Sequence, residues 1–390
     1  MPTYRDALLA SAAAGVGALV AYALFRPRAA RLSSHAAPAV GLPSAKTAEE
    51  AEAAAALKLR IKAHYDGCSP HYLALWGEHI HHGLWRPGKE HLSKEDAQVV
   101  LVDEMLAAAR LAPRSKVLDV GCGVGGTSCK LAGLGHAVTG VSLSPVQVKM
   151  AQDNAAAKGV GVRFLEMDGE QLSFPGEDGT FDAVWISEAL SHFPRKDRFF
   201  GHAMRLLKPG GKVVIVDWFK ADAIGRALED GVVAEIEVGM LLPPLHTVTG
   251  YCNLLVAAGG RPIFMDDVSK ECAKTWDICL DMLAKPELWG LAASMGTDFV
   301  AFLKSFHAMK DGFRTGAFRF TILFVFLGCA TARPSRTRAR RKRVFASAHP
   351  RTPFSHRQDW GKAFRGAGCV ALIALLLINF FPYAFNPLAP

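Results

Sequence analysis

The stretch that decides the fold is KVLDVGCGVGG, residues 116–126. A short apolar strand at Val117 and Leu118 leads into Asp119 and then into a turn in which four of six residues are glycine. Because glycine has no Cβ, the backbone of such a turn can approach a ligand closely. The spacing fits the G-x-G-x-x-G pattern of dinucleotide sites, so the glycines alone predict a nucleotide-type loop in front of a helix.

Asp119 narrows the kind of nucleotide site. A carboxylate at the end of a buried strand is costly unless a cation or a hydrogen-bond donor meets it, and dinucleotide folds usually have an apolar residue there. The second predicted strand ends in Ser142, whereas a nicotinamide site needs an acid about 20 residues after the glycines. Both observations weigh against a nicotinamide oxidoreductase, which stays open as an alternative.

The composition predicts a folded chain with a hydrophobic core and without a nucleic-acid partner. Half of the 390 residues are hydrophobic, enough for one large domain or two small ones. The eight cysteines form no C-x-x-C pair, which favours a reducing compartment over a zinc site or a disulfide framework. Residues 331–366 hold nine Arg and two Lys against one acid, so they account for the net charge of +9. The rest is about neutral, and no nucleic-acid partner is expected.

Two apolar runs near the ends of the chain indicate contact with a membrane. Residues 7–25 would span roughly 28 Å as a helix at ~1.5 Å per residue. The arginines that follow place the main domain on the cytosolic side, as on the endoplasmic reticulum. We therefore interpret residues 1–30 as a membrane anchor, with a signal peptide or an organellar, plastid-type transit segment as the alternative, and 31–45 as a linker. Residues 327–366 are a basic tail predicted to be disordered, and 367–390 are a possible second anchor or no part of the functional fold.

Strands and helices alternate from Lys116 onward, which predicts a parallel α/β sheet covered on both faces. An Ala-rich helix begins at the capping box Thr47–Glu50 and is expected to end near Ala63. Two later helices are expected at 145–158 and 196–207. The predicted strands are 116–120, 137–141, 162–165, 181–187, 212–217, 262–265 and 317–326.

Two later motifs follow the glycine loop in order, FDAVWISE at 181–188 and LLKPGGKVVI at 206–215. Together with 116–126, they resemble the motifs of class I S-adenosylmethionine-dependent methyltransferases. The resemblance implies a Rossmann-like α/β fold whose seven-stranded, mostly parallel sheet has an antiparallel last strand, in a domain at about 46–326. It also implies S-adenosylmethionine as the cofactor and methyl transfer as the reaction.

Two further stretches resemble one branch of that family. VTGVSLSPVQVKMA at 138–151 and WGEHIHHG at 76–83, with Tyr65 upstream, are similar to gamma-tocopherol and sterol methyltransferases and to plant-type alkaloid N-methyltransferases. The resemblance covers about residues 57–323 and implies an N-terminal helical lid and a hydrophobic small-molecule acceptor. The histidines at 79–82 lack an accompanying carboxylate–cysteine cluster, so no metal site is predicted.

The resemblance assigns cofactor contacts residue by residue. Asp119 serves the methionine end and Asp168 the adenine amino group, with a turn-forming Asp as the alternative, while Ser142 takes the place of the usual ribose-binding acid. Aromatic side chains of the lid would pack near the sulfonium, where a ring face attracts a cation; ordinary core packing is the alternative. The expected cofactor residues are Tyr65, Tyr72, Trp76, Asp119, Gly121, Gly123, Gly125, Ser142, Leu143, Gln147, Asp168, Gly169, Glu170 and Ser187.

Methyl transfer is a displacement in which the enzyme mainly aligns the acceptor and excludes water. A base is needed only when the acceptor must lose a proton. The candidates at strand ends are Glu188, His192 and Asp217. By resemblance, His192 would deprotonate a phenol or an amine and Glu188 would stabilise a cationic intermediate, with purely structural roles as the alternative. The apolar stretch 240–246 would cap the acceptor pocket.

These patterns predict methyl transfer to carbon of a prenylated phenol or a sterol-like lipid. The second candidate is N-methylation of an alkaloid-like amine. The third is a cofactor-bound cyclase or regulatory protein that transfers no methyl group.

Overall fold

The computed structural model describes residues 47–327. The segments interpreted as an anchor or targeting signal, a linker, a basic tail and an apolar end lie outside these residues, apart from position 327. Within 47–327, no helix has the length and apolar character needed to cross a bilayer. The expected domain limits, 46 and 326, stay a prediction.

Seven strands of the described chain form one sheet: β1 (Lys116–Val120), β2 (Ala137–Ser142), β3 (Val162–Glu166), β4 (Phe181–Ser187), β5 (Leu207–Lys220), β6 (Gly260–Asp267) and β7 (Phe318–Leu327). Their order across the sheet is β3-β2-β1-β4-β5-β7-β6. The first five strands pair with one another in parallel, whereas β7 is antiparallel to both β5 and β6. The predicted fold class is confirmed.

The helices surround this sheet, and the two expected at 145–158 and 196–207 are found within one residue of their predicted ends. Short 3-10 turns follow β3 and β4, at Gly169–Gln171 and Leu190–His192. The described helices are α1 (Ala48–Trp76), α2 (Lys94–Ala109), α3 (Gly126–Gly133), α4 (Pro145–Lys158), α5 (Lys196–Leu206), α6 (Arg226–Leu228), α7 (Ala234–Gly239), α8 (Val248–Ala257), α9 (Ser269–Cys272), α10 (Lys274–Met282), α11 (Pro286–Met295) and α12 (Thr297–Thr315), with a π-helical turn at Glu229–Val233 between α6 and α7.

The middle of the sheet is buried on both faces. Val117, Leu118, Trp185, Val214 and Ile215 are completely buried, as near-continuous apolar runs predict for parallel strands between two helical layers. The chain moves from β1 toward β2 and β3 on one side and returns to β4 on the other. Open α/β sheets bind ligands at the carboxyl ends of the strands at such a reversal.

Helix α1 ends later than predicted. Thr47 caps its start by accepting a 3.1 Å hydrogen bond from the backbone N–H of Glu50, as expected. The predicted end near Ala63 is wrong, because the helix continues to Trp76 and includes Pro70. Its added turns pack aromatic side chains against the core, and such tertiary packing outweighs local helix-ending signals.

Residues 77–83, the lid segment, are clamped onto the sheet. Gln98 of α2 donates from its side-chain amide to two backbone carbonyls of this segment, at 2.5 and 3.0 Å. On the other side lies Gly126, the first residue of α3, where a Cβ would be only 2.3 Å from the carbonyl oxygen of Glu78. Close packing at this glycine therefore holds the lid segment against the turn that follows β1.

Gly126→Ala is expected to destabilise the protein by about 1–3 kcal/mol, because the added methyl group must displace backbone. Gly133→Ala is the matched control on the same helix, since no atom lies within 4 Å of its new methyl group. That control should be neutral or stabilising by up to about 1 kcal/mol. Urea unfolding followed by circular dichroism measures both, and equal stabilities would show that the lid segment is not clamped at this glycine.

Candidate active site

Two cavities meet at the carboxyl ends of the parallel strands. The first, the strand-end cleft, is lined by residues that follow β1, β2, β3 and β4 and by one face of α1. The second, the apolar cavity, is lined by α1, the lid segment and helices α10 to α12. Both cavities share the residues Ile61, Tyr65, Ile80, Glu188 and His192.

The glycine turn forms one wall of the strand-end cleft. Gly121 and Gly123 line it with φ angles of +72° and +55°, a conformation that costs glycine nothing. A Cβ on Gly121 would lie 2.3 Å from the Cβ of Ala189, whereas the space beside Gly123 is open. Gly125 instead packs against Ala151 of α4, so its position supports the turn.

Asp119 is buried at the end of β1, with 2% of its surface exposed. Ser128 of α3 donates a 2.5 Å hydrogen bond to one of its carboxylate oxygens. Burial raises the pKa of Asp119 to about 6, although the bond from Ser128 acts in the opposite direction. A positive charge brought to the adjacent cleft would therefore favour the ionised form of this acid.

The turns after β2 and β3 are held by their own side chains. Ser142 donates to the amide oxygen of Gln147 at 2.8 Å and accepts from the backbone N–H of Ser144 at 3.1 Å. Asp168 accepts a hydrogen bond from the backbone N–H of Glu170 at 2.9 Å. This contact is the one expected if Asp168 serves to form the turn. These contacts organise the turns without a ligand and leave the same residues in the cleft wall.

Helix α1 is tied to these turns by its lysines. The ammonium group of Lys58 lies 2.7 Å from Asp168 and also pairs with Glu170. One turn further along, Lys62 donates to the carbonyl of Leu143 at 3.1 Å. The helix therefore covers the strand-end cleft, in the position of the predicted lid.

Nine of the fourteen expected cofactor residues line the strand-end cleft: Tyr65, Gly121, Gly123, Ser142, Leu143, Gln147, Asp168, Gly169 and Ser187. Asp119 and Glu170 are buried and are not among the residues that line it. Tyr72 and Trp76 line the apolar cavity instead. Their contact with a cofactor stays a prediction, and their position favours contact with an acceptor.

Glu188 places a buried carboxylate at the junction of the two cavities. It accepts from the backbone N–H of His82 at 2.7 Å, from His82 Nδ1 at 2.8 Å and from the indole of Trp218 at 2.9 Å. Trp276 donates to His82 Nε2 at 2.8 Å, so the proton of that ring is on Nδ1. Burial would raise the pKa of Glu188, but its interactions with His82 and His81 together outweigh burial and lower the pKa. The acid is therefore ionised and fixed in orientation.

The backbone at Glu188 is also unusual. Its φ angle is +51°, in a region that costs a non-glycine residue energy and is often found at functional sites. The preceding strand β4 and the three hydrogen bonds to its side chain hold it there. This geometry turns the side chain toward the lid segment instead of into the sheet.

His192 follows on the 3-10 turn after β4 as a neutral imidazole. Its Nδ1 donates to the carbonyl of Leu241 at 3.3 Å, and its Nε2 accepts from the hydroxyl of Tyr65 at 3.2 Å. Burial lowers the pKa of His192 to about 4 and raises the pKa of Tyr65. At neutral pH the free base form of His192 therefore faces both cavities.

Asp217 lies away from both cavity walls. It is completely buried on β5 and accepts a 2.7 Å hydrogen bond from Tyr251. Burial raises its pKa, and the nearby ammonium group of Lys196 opposes that rise. Lys196 donates to two backbone carbonyls of the turn around His192. The placement favours a supporting function for Asp217, and its predicted catalytic role remains untested.

The apolar cavity includes residues that the sequence did not indicate as functional. His81, His82, Trp218 and Trp276 line it, together with Met240 and Leu241 of the stretch predicted to cap the acceptor pocket. The run of histidines at 79–82 is a visible signal, but its spacing says nothing about which rings face a cavity. The two tryptophans come from β5 and α10 and have no local pattern that connects them.

Comparison with known proteins agrees with this architecture. Residues 118–215 match a family described as a methyltransferase domain. Tocopherol O-methyltransferase, chloroplastic, from Arabidopsis thaliana is 32% identical over 301 residues, which cover 73% of this chain and 85% of that protein. The 2-methyl-6-phytyl-1,4-hydroquinone methyltransferase of Synechocystis is 41% identical over 204 residues, covering 50% of this chain and 61% of the relative.

Solved structures share the fold. The [4+2]-cyclase SpnF superposes with a TM-score of 0.62 at 24% identity, over 70% of this chain and 97% of the cyclase. Geranyl diphosphate C-methyltransferase from Streptomyces coelicolor, in complex with S-adenosyl-L-homocysteine, gives a TM-score of 0.55 at 16% identity over 73% of this chain and 100% of that protein.

The fold, the glycine turn and these relatives define a class I methyltransferase that uses S-adenosylmethionine. The chain belongs to that family, in the tocopherol and sterol methyltransferase branch. The site is suited to the cofactor, because open space borders Gly123 and a buried acid, Asp119, lies behind the turn. When bound, S-adenosylmethionine supplies a methyl group on a positively charged sulfur.

Asp119 predicts a pH dependence of cofactor affinity. With a pKa of about 6, the carboxyl group is protonated below pH 6 and must lose its proton to meet the cationic cofactor. The dissociation constant should therefore rise about tenfold per pH unit below 6 and be flat above 7. Asp119→Asn should bind weakly at all pH values without this slope. Calorimetric titration between pH 5 and 8 measures it.

Asp217→Asn is the matched control, since Asp217 is an equally buried acid with a raised pKa that lines neither cavity. It should keep the slope of the wild type. A slope that survives in Asp119→Asn would assign the titration to another group.

Proposed function

We propose that this enzyme transfers a methyl group to a ring carbon of a prenylated phenol. The relatives named above act, by their names, on tocopherol and on 2-methyl-6-phytyl-1,4-hydroquinone. A long hydrocarbon chain fits a cavity whose walls include Trp76, Met240, Leu241, Trp276 and Phe302. No Lys or Arg is among the described residues that line this cavity.

The ionised carboxylate of Glu188 is the observation that supports methyl transfer to a ring carbon instead of a phenolic oxygen. Attack by a ring carbon places positive charge on the ring, and a buried anion stabilises that charge. Aromatic faces at Tyr65 and Trp218, which also line the cavity, add to this stabilisation. Methylation of oxygen uses a phenolate instead, and a nearby anion without a compensating cation disfavours the phenolate.

Other residues of the chain hold the acceptor, accept its proton and keep the cleft closed. The aromatic and aliphatic walls hold the acceptor and exclude water, which aligns it with the strand-end cleft. His192 Nε2 is an unprotonated base at the wall shared by both cavities and receives the ring proton, through the hydroxyl of Tyr65 or directly. Lys58 and Lys62 hold α1 closed over the cleft.

The alternative is N-methylation of an amine. Norajmaline N-methyltransferase from Rauvolfia serpentina is 35% identical over 164 residues, or 40% of this chain and 56% of that enzyme. An anionic Glu188 would attract an amine as well as a cationic ring. The methyl-transfer assay described below separates the two kinds of acceptor, because each acceptor is offered alone.

We further propose a plastid location, supported by the chloroplastic relatives and by the transit-type interpretation of residues 1–30. A fusion of residues 1–45 to a fluorescent protein tests it, and a signal that stays in the cytosol or enters the endoplasmic reticulum contradicts it.

The function is tested by incubating the full chain with isotope-labelled S-adenosylmethionine and either 2-methyl-6-phytyl-1,4-hydroquinone or norajmaline. We expect label in the hydroquinone, in a product that keeps both free hydroxyl groups, as counted by acetylation and mass spectrometry. Loss of one hydroxyl would indicate O-methylation and contradict carbon transfer. Label in norajmaline alone would favour the alternative.

Glu188→Gln keeps the shape of the side chain and removes its charge. We expect kcat to fall about 100-fold, since loss of one electrostatic group at a transition state commonly has this effect. Asp182→Asn, near the start of the same strand and paired with Lys208, is the control and should keep the wild-type kcat. Steady-state assays decide, and an unchanged kcat in Glu188→Gln would remove the carboxylate from the mechanism.

A further inference from the structure

His81 uses only one of its two ring nitrogens for contacts within the protein. It lines the apolar cavity with 7% of its surface exposed. Its Nδ1 lies 2.9 Å from the carbonyl oxygen of His82. Because a carbonyl can only accept, the ring proton is on Nδ1 and Nε2 is a bare acceptor. Nε2 has no hydrogen-bond partner among the residues that the structure describes.

A buried acceptor of this kind requires an explanation. Most buried polar atoms in native proteins are paired, and those that are not are often functional. Burial also lowers the pKa of His81, so the ring stays neutral and Nε2 stays an acceptor. Among the other histidines that line this cavity, His82 and His192 use both ring nitrogens, and His64 pairs its Nε2 with the hydroxyl of Tyr72.

The backbone of His81 is held firmly in place. Its carbonyl accepts from the indole of Trp76 at 3.3 Å and from the amide of Gln98 at 3.0 Å. The preceding residue, Ile80, lines both cavities, so the ring stands one residue from their junction. Nε2 itself is buried, so a ligand hydroxyl reaches it only by displacing a neighbouring cavity side chain. It then meets an acceptor whose backbone is already fixed, which reduces the entropy lost on binding.

We propose that His81 Nε2 is a subsite that accepts a hydrogen bond from a hydroxyl group of the methyl acceptor, and that it selects phenols over acceptors without a hydroxyl group. This inference rests on the proposed function, since it assigns one atom of the apolar cavity to the phenolic end of that substrate class. The hydrogen bond fixes the ring in the cavity while the walls hold its hydrocarbon chain. No proton needs to be transferred for this role.

The test compares two probes that differ only in their hydroxyl groups: 2-methyl-6-phytyl-1,4-hydroquinone and the phytyl-arene in which hydrogen replaces both hydroxyls. Binding to the full chain is followed by the fluorescence of the cavity tryptophans under anaerobic conditions, with S-adenosyl-L-homocysteine present so that no turnover occurs. The wild type should bind the hydroquinone about tenfold tighter than the arene, as expected when one paired group is lost. His81→Phe should abolish this preference.

His79→Phe is the matched control. His79 belongs to the same segment and also has an unpaired ring nitrogen, Nδ1, but it lines neither described cavity. It should keep the tenfold preference. His81→Gln retains a donor and an acceptor and should restore part of the preference, which separates loss of the hydrogen bond from loss of folding.

Two outcomes overturn the inference: a wild type that binds both probes equally, or a preference that persists in a folded His81→Phe. Failure of the proposed function gives a different pattern. If label never reaches the hydroquinone while the hydroxyl preference is present and depends on His81, the subsite stands and the methylated acceptor is another phenol. If label is transferred and the hydroxyl preference is absent, the proposed methyl transfer is supported and the subsite at His81 is refuted.

Discussion

The candidate site depends on the hydrogen bonds that hold the buried carboxylate of Glu188. An ionised acid removed from water is stable only when donors replace its hydration. His82 of the lid segment and Trp218 of β5 supply those donors, and Trp276 of α10 fixes the tautomer of His82. The lid segment, the sheet and the outer helices therefore meet at one side chain, in the wall between the two cavities. Removing any of these donors would affect both the charge of the acid and the shape of that wall.

Helix α1 connects the lid segment to the strand-end cleft through charges. Asp168 already binds Lys58, the side-chain amide of Gln171 and the backbone N–H of Glu170. An adenine amino group, if Asp168 binds it as predicted, would be a further donor to a carboxylate that already has three. Partly exposed ion pairs contribute little to stability, about 0–1 kcal/mol each. Such weak contacts can close a lid and still release it.

Most of the fold could be predicted from the sequence, because buried parallel strands are apolar runs that stand out locally. The site could be predicted only in part. Tyr65, Tyr72 and Trp76 have a spacing that would put them on one face of a helix, but the helix was expected to end near Ala63. A helix rises roughly 10 Å between positions seven apart, and in the structure Tyr65 lines both cavities whereas Tyr72 and Trp76 line only the apolar cavity. Their separation between two cavities becomes visible only when the end of α1 is known, and the end near Ala63 was wrong for reasons of tertiary packing.

The charges of the side chains between the two cavities follow from burial and from the hydrogen bonds that oppose it. Burial disfavours charge on any group, and it leaves the imidazoles of His81 and His192 neutral, each with one ring proton. Glu188 keeps its charge because His82 and Trp218 donate to it. The result is a wall with one anion, Glu188, and two neutral imidazoles, of which His192 already accepts from Tyr65. In the proposed function, such a wall would bind a cation or a hydroxyl donor and disfavour a phenolate. The acceptor would then react as a neutral ring, which is the form that methylation at carbon uses.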